Sequence, residues 1–356
     1  MLTLWNVLWF ILIFVLITGY FILDGFDLGI GILYPFLGKN EEEKATLRRA
    51  VGPVWDGNEV WLLTGGGALF AAFAPAYATT FSGFYLAIML VLFSLIVRAV
   101  SIEYREHDKE HAKLWDALFF IGSALPALLF GVAIGDVLMG IPMDAQGNMA
   151  LLFPMSFIYL LRPFALVCGL LGLTQFILLG LCWTAVKTTG DLHDRAAAMR
   201  GKVAIIEIVL LVLATLLWFV GSGIDTTAEG ALAAICGIAN QGSMPILAAV
   251  FAVVAVLCMV LVMVWSKQDS DLKVFIAAAL ICCGLCFLAA FSLFPNFIPA
   301  TNGADFTITI ANAASEDYTL ICMTIITVIG LPILLFYHFL CYRAFAGKIT
   351  PEDLKY

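Results

Sequence analysis

Two short runs place carboxylates three residues apart inside otherwise apolar sequence. Asp24 and Asp27 close the first apolar stretch in DGFDLGIG, and Asp56 and Glu59 stand in WDGNEVW with Asn58 between them. A spacing of three sets each pair on one helix face. An ionised carboxylate at the centre of a bilayer costs at least ~2.5–3.5 kcal/mol, so such acids face protein or water and serve protons or ions. The chemistry expected is proton transfer through carboxyls bridged by water, which buried Asp and Glu support by gaining and losing a proton. A plainer reading leaves Asp24 and Asp27 hydrated at a helix end, and Asp56 and Glu59 as caps near the membrane surface. Counting from Arg49 at ~1.5 Å per residue puts Asp56 about 10 Å inward, the depth of an entrance. Trp55 and Trp61 flank the second pair. Gly65, Gly66 and Gly67 then remove three side chains in succession, which lets a helix or a bound group approach closely.

The elements that must hold these acids are membrane helices. The chain has 356 residues, 63% hydrophobic and 12% charged, with a mean hydropathy of +1.03, which excludes a soluble domain. Runs of about 20 apolar residues can cross the hydrocarbon layer. Nine are expected, at roughly 5–27, 54–74, 79–99, 115–138, 160–186, 203–222, 244–265, 274–294 and 318–341, the first able to continue to Leu37. The fold class expected is an all-α polytopic membrane protein forming a single membrane domain over 1–356. With nine spans, 17 of the 18 Lys and Arg fall on one side, Arg162 being the exception. Basic loops stay in the cytoplasm, which puts the N-terminus outside and the C-terminus inside. The start, MLTLWNVLWF, lacks a basic n-region and reads as a retained span, not a signal peptide. A net charge of -8 gives no reason to expect nucleic acid. Asp144, Asp225, Glu229, Asp305, Glu316 and Asp317 read as solvated loop charges on the outer side.

Other candidates are weaker. His107 and His111 are spaced to share a metal on a helix, but no third ligand accompanies them, and His193 sits in a similar basic loop. His338 reads as an interfacial residue near the inner end of the last span. This inventory cannot supply the inward-facing axial ligands that haem needs, so the chain is expected to ligate no haem iron and to hold no metal. Cys282, Cys283 and Cys286 form a CCxxC cluster in an apolar run without basic neighbours, where thiolates are unfavourable and packing is expected. Arg162 anchors to headgroups or pairs with a partner, and Glu207 snorkels or pairs locally with Lys202. Residues 221–244 form the longest outer loop and a contact surface. GGALFAAFAPAY and FLAAFSLFPNFIPA echo each other, which suggests two four-helix bundles plus one further helix.

Several of these motifs carry a resemblance. WDGNEVWL followed by GGALFAAF, together with DGFDLGIG, FSGFY (Phe81–Tyr85), IGSALP (Ile121–Pro126) and the C-terminal GKITPEDL, is similar to subunit II of the cytochrome bd-type quinol oxidases. The likeness covers nearly the whole length and is looser in the middle third. It implies a subunit of a quinol:O2 oxidoreductase in the bacterial cytoplasmic membrane, paired with a haem-bearing subunit I that ligates haem b and haem d types. It also implies generation of proton-motive force, small single-helix subunits in some complexes, and in some members a quinone bound as a structural lipid. The family's proton-conducting aspartate falls on Asp56, with Glu103 as the entry acid, Asp24, Asp27 and Glu59 as relay or electrostatic support, and Asn58 as a hydrogen-bonding neighbour. Trp61 would line a hydrophobic oxygen path. Arg98 is followed by Ala99 where the family often has proline, which bears on how that helix ends near Glu103. The alternative class is a proton-coupled secondary transporter, which also uses intramembrane carboxylates and glycine-broken helices.

Overall fold

The computed structural model describes residues 2–151, 155–224, 236–239, 244–268, 270–350 and 352–355. Asp225, Glu229 and most of the expected outer loop 221–244 lie outside the described residues. The chain is helical almost throughout: α1 Leu4–Leu37, α2 Glu41–Val51, α3 Trp55–Ala72, α4 Ala74–Gly83, α5 Tyr85–His107, α6 Ala112–Met139, α7 Met155–Tyr159, α8 Pro163–Lys187, α9 Gly190–Ser222, α10 Pro245–Trp265, α11 Asp271–Leu293 and α12 Asp317–Ala344. Two short strands, β1 Asn296–Ile298 and β2 Ile308–Thr309, pair antiparallel between α11 and α12.

Among the described residues eight helices are long and apolar enough to cross a membrane, against the nine expected. The difference is the second expected span. It folds as α3, but only over 18 residues, and Asp56, Asn58 and Glu59 dilute its apolar content. The third expected span, 79–99, is displaced: a break at Phe84 separates α4 from α5, and α5 runs on to His107. The charged segment expected as a loop from Glu103 is therefore partly helix. Pro75 explains the preceding break at Phe73, because it has no N–H to continue the α3 ladder and its ring clashes with the carbonyl four residues back, whereas it suits the first turn of α4.

The core is organised on α1. Thr3 caps it, its side chain accepting from Asn6 N, and its 34 residues would extend about 51 Å, well beyond the hydrocarbon thickness. Every residue from Asp24 to Tyr34 is buried, so this half is ringed by protein. Close approach makes that possible. A Cβ on Gly29 would fall 1.9 Å from the Phe176 carbonyl oxygen, and one on Gly180 would fall 2.5 Å from Gly29 C, so α1 and α8 meet backbone to backbone. α3 and α6 also pack on α1, and α5 packs on α6. On the other side α9 lies against α8 and α10, and α11 against α10, α8 and α1. α12 touches α1 and α3 and is otherwise the least covered helix, with 6% of its apolar window buried.

Candidate functional site

Arg98 is the centre of the polar interior. It is fully buried on α5, and its Nη2 donates to Asp24 Oδ1 of α1 at 2.7 Å and to Glu59 Oε1 of α3 at 2.5 Å. Gly122 of α6 makes the position possible: a Cβ there would stand 2.8 Å from both Arg98 N and Ser94 O, so only glycine lets α5 settle this close. The Asp24 carboxylate is also fully buried, whereas the Glu59 side chain is 26% exposed. A buried pair of this kind requires good geometry, because each ion taken out of water costs several kcal/mol.

A second strand of the network lies one turn away. Asn58 Nδ2 donates to Asp27 Oδ2 at 2.7 Å and to the Leu23 carbonyl at 3.1 Å, and Tyr342 of α12 donates its hydroxyl to Asn58 Oδ1 at 2.8 Å. Three carboxyls and one guanidinium thus share the interior of α1, α3 and α5. Asp24 Oδ2, Asp27 Oδ1, and Arg98 Nε and Nη1 have no protein partner. A small cleft of about 20 Å³ reaches Asn58 from the basic end, between the start of α3 (Pro53, Gly57) and the end of α12 (His338, Tyr342). That is room for about one water.

Trp61 lies deeper on α3. Its ring fills the space that a Cβ on Gly19 would occupy, at 2.4 Å from Cε3, and its Nε1–H donates to His338 Nε2 at 3.2 Å. His338 Nε2 also lies 3.1 Å from the Gly57 carbonyl and Nδ1 lies 3.1 Å from the Leu334 carbonyl. His338 is therefore a buried clamp between α12 and α3, not the interfacial residue expected. His107, His111 and His193 stand at the basic end beside the Glu103 carbonyl, Asp108, and Asp194 with Asp271, respectively. These donors do not fit an axial haem site within the chain, and no group of three His, Cys, Asp or Glu among the described residues could hold a metal ion.

The structure brings Asp24, Asp27, Asn58 and Glu59 together and leaves Asp56 and Glu103 apart. Asp56 is exposed on the outer face of α3, one turn from the half-buried Glu59, and its side chain makes no hydrogen bond among the described residues. Glu103 is exposed near the end of α5, and His107 Nδ1 lies against its backbone carbonyl. Three further expectations change. Arg162 is buried, donating to Asp136 Oδ1 at 3.1 Å and to the Gly140 carbonyl at 2.8 Å, so it pairs within the chain and not with headgroups. Glu207 is fully buried with neither oxygen partnered, so it neither snorkels nor pairs with Lys202. Arg98, counted in the sequence as one more loop cation, is interior.

The family model for cytochrome bd terminal oxidase subunit II matches residues 5–345. This chain belongs to that family. It is 35% identical to the cytochrome bd-I ubiquinol oxidase subunit 2 of Escherichia coli (strain K12), over 98% of this chain and 96% of that one. It is 34% identical to the cytochrome bd ubiquinol oxidase subunit 2 of Bacillus subtilis (strain 168), over 97% of each. Among solved structures, the bd oxidase from Geobacillus thermodenitrificans has a similar fold, with a TM-score of 0.76 at 14% identity, covering 96% of this chain and 99% of that one. The chain is thus a multi-pass membrane subunit of a bacterial quinol-oxidising terminal oxidase, and family membership decides against the secondary transporter.

Proposed function

We propose that this chain pairs with the haem-bearing subunit I, completes its packing in the membrane, and carries part of the cytoplasmic proton route. Electrons pass from quinol to O2 on the partner, whose haem b and haem d types supply the redox chemistry. The protons for water come from the cytoplasm, and this chain's acids help deliver them. Nine crossings support that orientation. α3 runs antiparallel along α1 from Asn58, bonded beside Asp27, to Ala72 and Phe73, which share a core with Phe10. An 18-residue helix covers about 27 Å, so α3 is the ninth crossing, helped by Asn58 being buried and Glu59 being held by Arg98. With α3 as a crossing the basic loops segregate to one side, which supports an N-terminus outside and a C-terminus in the cytoplasm.

The partner surface is the outer face of α3 together with α12. Asp56, Val60, Leu63, Gly67 and Phe70 recur at spacings of four and three, and all are exposed. An aspartate on such a face of a membrane-crossing helix belongs against protein, not lipid. Gly66 and Gly67 have nothing within 4 Å of their Cβ positions, which leaves room for a partner helix to come close.

The observation that carries the proton role is the placement of Asp56 one turn from Glu59. Glu59 is in turn held by Arg98 against Asp24. Asp56 is the relay facing the partner, Glu103 the acid at the cytoplasmic mouth, and Asp24, Asp27, Asn58 and Glu59 the polar interior that stabilises charge near it. Trp61 takes the oxygen-path role. Asp56→Asn in the purified complex is expected to slow O2 reduction while haem content stays at the wild-type level. Wild-type turnover in that variant would leave the chain a scaffold.

A further inference from the structure

Glu207 stands apart from the network on α1, α3 and α5. It lies on the buried stripe of α9, with Ala196, Arg200, Val203, Ala204, Leu211 and Ala214. At the basic end of that stripe Arg200 donates to Asp271 Oδ1 at 2.9 Å, and His193 and Lys348 also hold Asp271, at 3.0 and 3.4 Å. Glu207 is two turns further in, about 10 Å along the axis. It is completely buried, and both its oxygens lack a partner.

Among the described residues no cation pairs with this carboxyl. From α8 the ionisable group within electrostatic reach is the thiol of Cys182, and from α11 it is the thiol of Cys282. α10 contributes no described charge, burial alone acts on the carboxyl, and Arg200 on the same helix is committed to Asp271. An ionised carboxylate here would leave several kcal/mol of desolvation cost without compensation. A neutral carboxylic acid bears a far smaller cost. Cys182 is itself completely buried on α8, the helix packed against α9.

We propose that Glu207 is a proton-binding site distinct from the Arg98 cluster. It holds a proton in the assembled protein and exchanges that proton with solvent water. The step is simple protonation: a carboxylate oxygen takes a proton from solvent water, and release reverses it. No electron moves.

Infrared difference spectroscopy on the oxidase complex in lipid nanodiscs tests this, since protonated and ionised carboxyls absorb at separate positions. Subtracting the Glu207→Gln spectrum from wild type is expected to reveal a C=O stretch of a protonated carboxylic acid, which shifts in D2O. Glu207→Asp is expected to keep such a band at a displaced position. It serves as the second variant should the glutamine form assemble poorly. Carboxylate bands in place of the acid band would overturn the proposal, and so would an acid band that never shifts in D2O. The haem spectrum of each variant reports assembly separately. The result does not depend on Asp56 being a relay, because the band is read without turnover.

Discussion

Arg98 shows how much one side chain sets at this site. Three carboxyls converge near it, and among the described residues it alone supplies positive charge to Asp24 and Glu59. Removing one partner of a buried pair leaves an uncompensated charge and costs about 3–5 kcal/mol. Arg98→Met is therefore expected to lower the yield and thermal midpoint of the assembled complex strongly. Adding Asp24→Asn should recover a substantial part, because the orphaned charge is then gone. A double variant no better than the single would show that Arg98 acts through packing. The sequence disclosed Asp24, Asp27, Asn58 and Glu59 because acids in apolar runs are conspicuous. It hid Arg98, Tyr342 and His338 for the opposite reason. A cation near a basic loop looks like topology, and a tyrosine or histidine near a helix end looks like an interface. Only the fold shows that α12 folds back to place Tyr342 on Asn58 and His338 on Trp61.

At the scale of elements, small residues decide where the acids can meet. Gly29 and Gly180 let α1 and α8 touch through their backbones, which fixes the rotation of α1 and so the direction of Asp24 and Asp27. Gly29→Ala would drive a Cβ into the Phe176 carbonyl and is expected to cost about 1–3 kcal/mol, the usual range for overpacking. Gly65→Ala is the control: its Cβ would sit 3.7 Å from Leu16 Cβ, an ordinary contact, and the thermal midpoint should hardly move. The basic end carries a pH-dependent clasp. Glu43 of α2 bonds Arg195 of α9 at 2.7 Å, and that bond holds its carboxyl below the usual value of 4.5. A group depressed in the folded state stabilises above its unfolded value and loses that contribution as pH falls through the folded one. The gap between wild type and Arg195→Met should therefore be small near neutrality, within the ~0.2–1 kcal/mol of surface pairs, and should narrow below pH 4.5. Thermal melts across that range check it. The helices themselves were mostly legible from apolar run length, and α3 was the exception in apolar content. Its polar first half serves the site at the expense of the hydropathy that would mark a span.

For the whole molecule, the decisive feature is an imbalance in how helices are covered. α8 and the Asp24–Tyr34 half of α1 are the most covered, whereas α12 and the outer face of α3 have almost no protein against them. Lipid could cover the apolar residues of that face, but it is a poor neighbour for Asp56. A partner helix satisfies both requirements at once, and Gly66 and Gly67 mark where it comes closest. This was half visible in the sequence: the glycine run announced a close approach, but not that Gly65 turns to α1 while Gly66 and Gly67 look outward. Gly67→Leu separates intrachain from interchain packing, because nothing in this chain lies within 4 Å of the added Cβ. The variant should fold and insert normally, yet co-purify with several-fold less of the haem-bearing subunit. Gly201→Leu on α9 is equally open within the chain but distant from α3, and it should retain the partner fully. Equal recovery of haem with both variants would place the partner on another face and leave Asp56 to be explained without it.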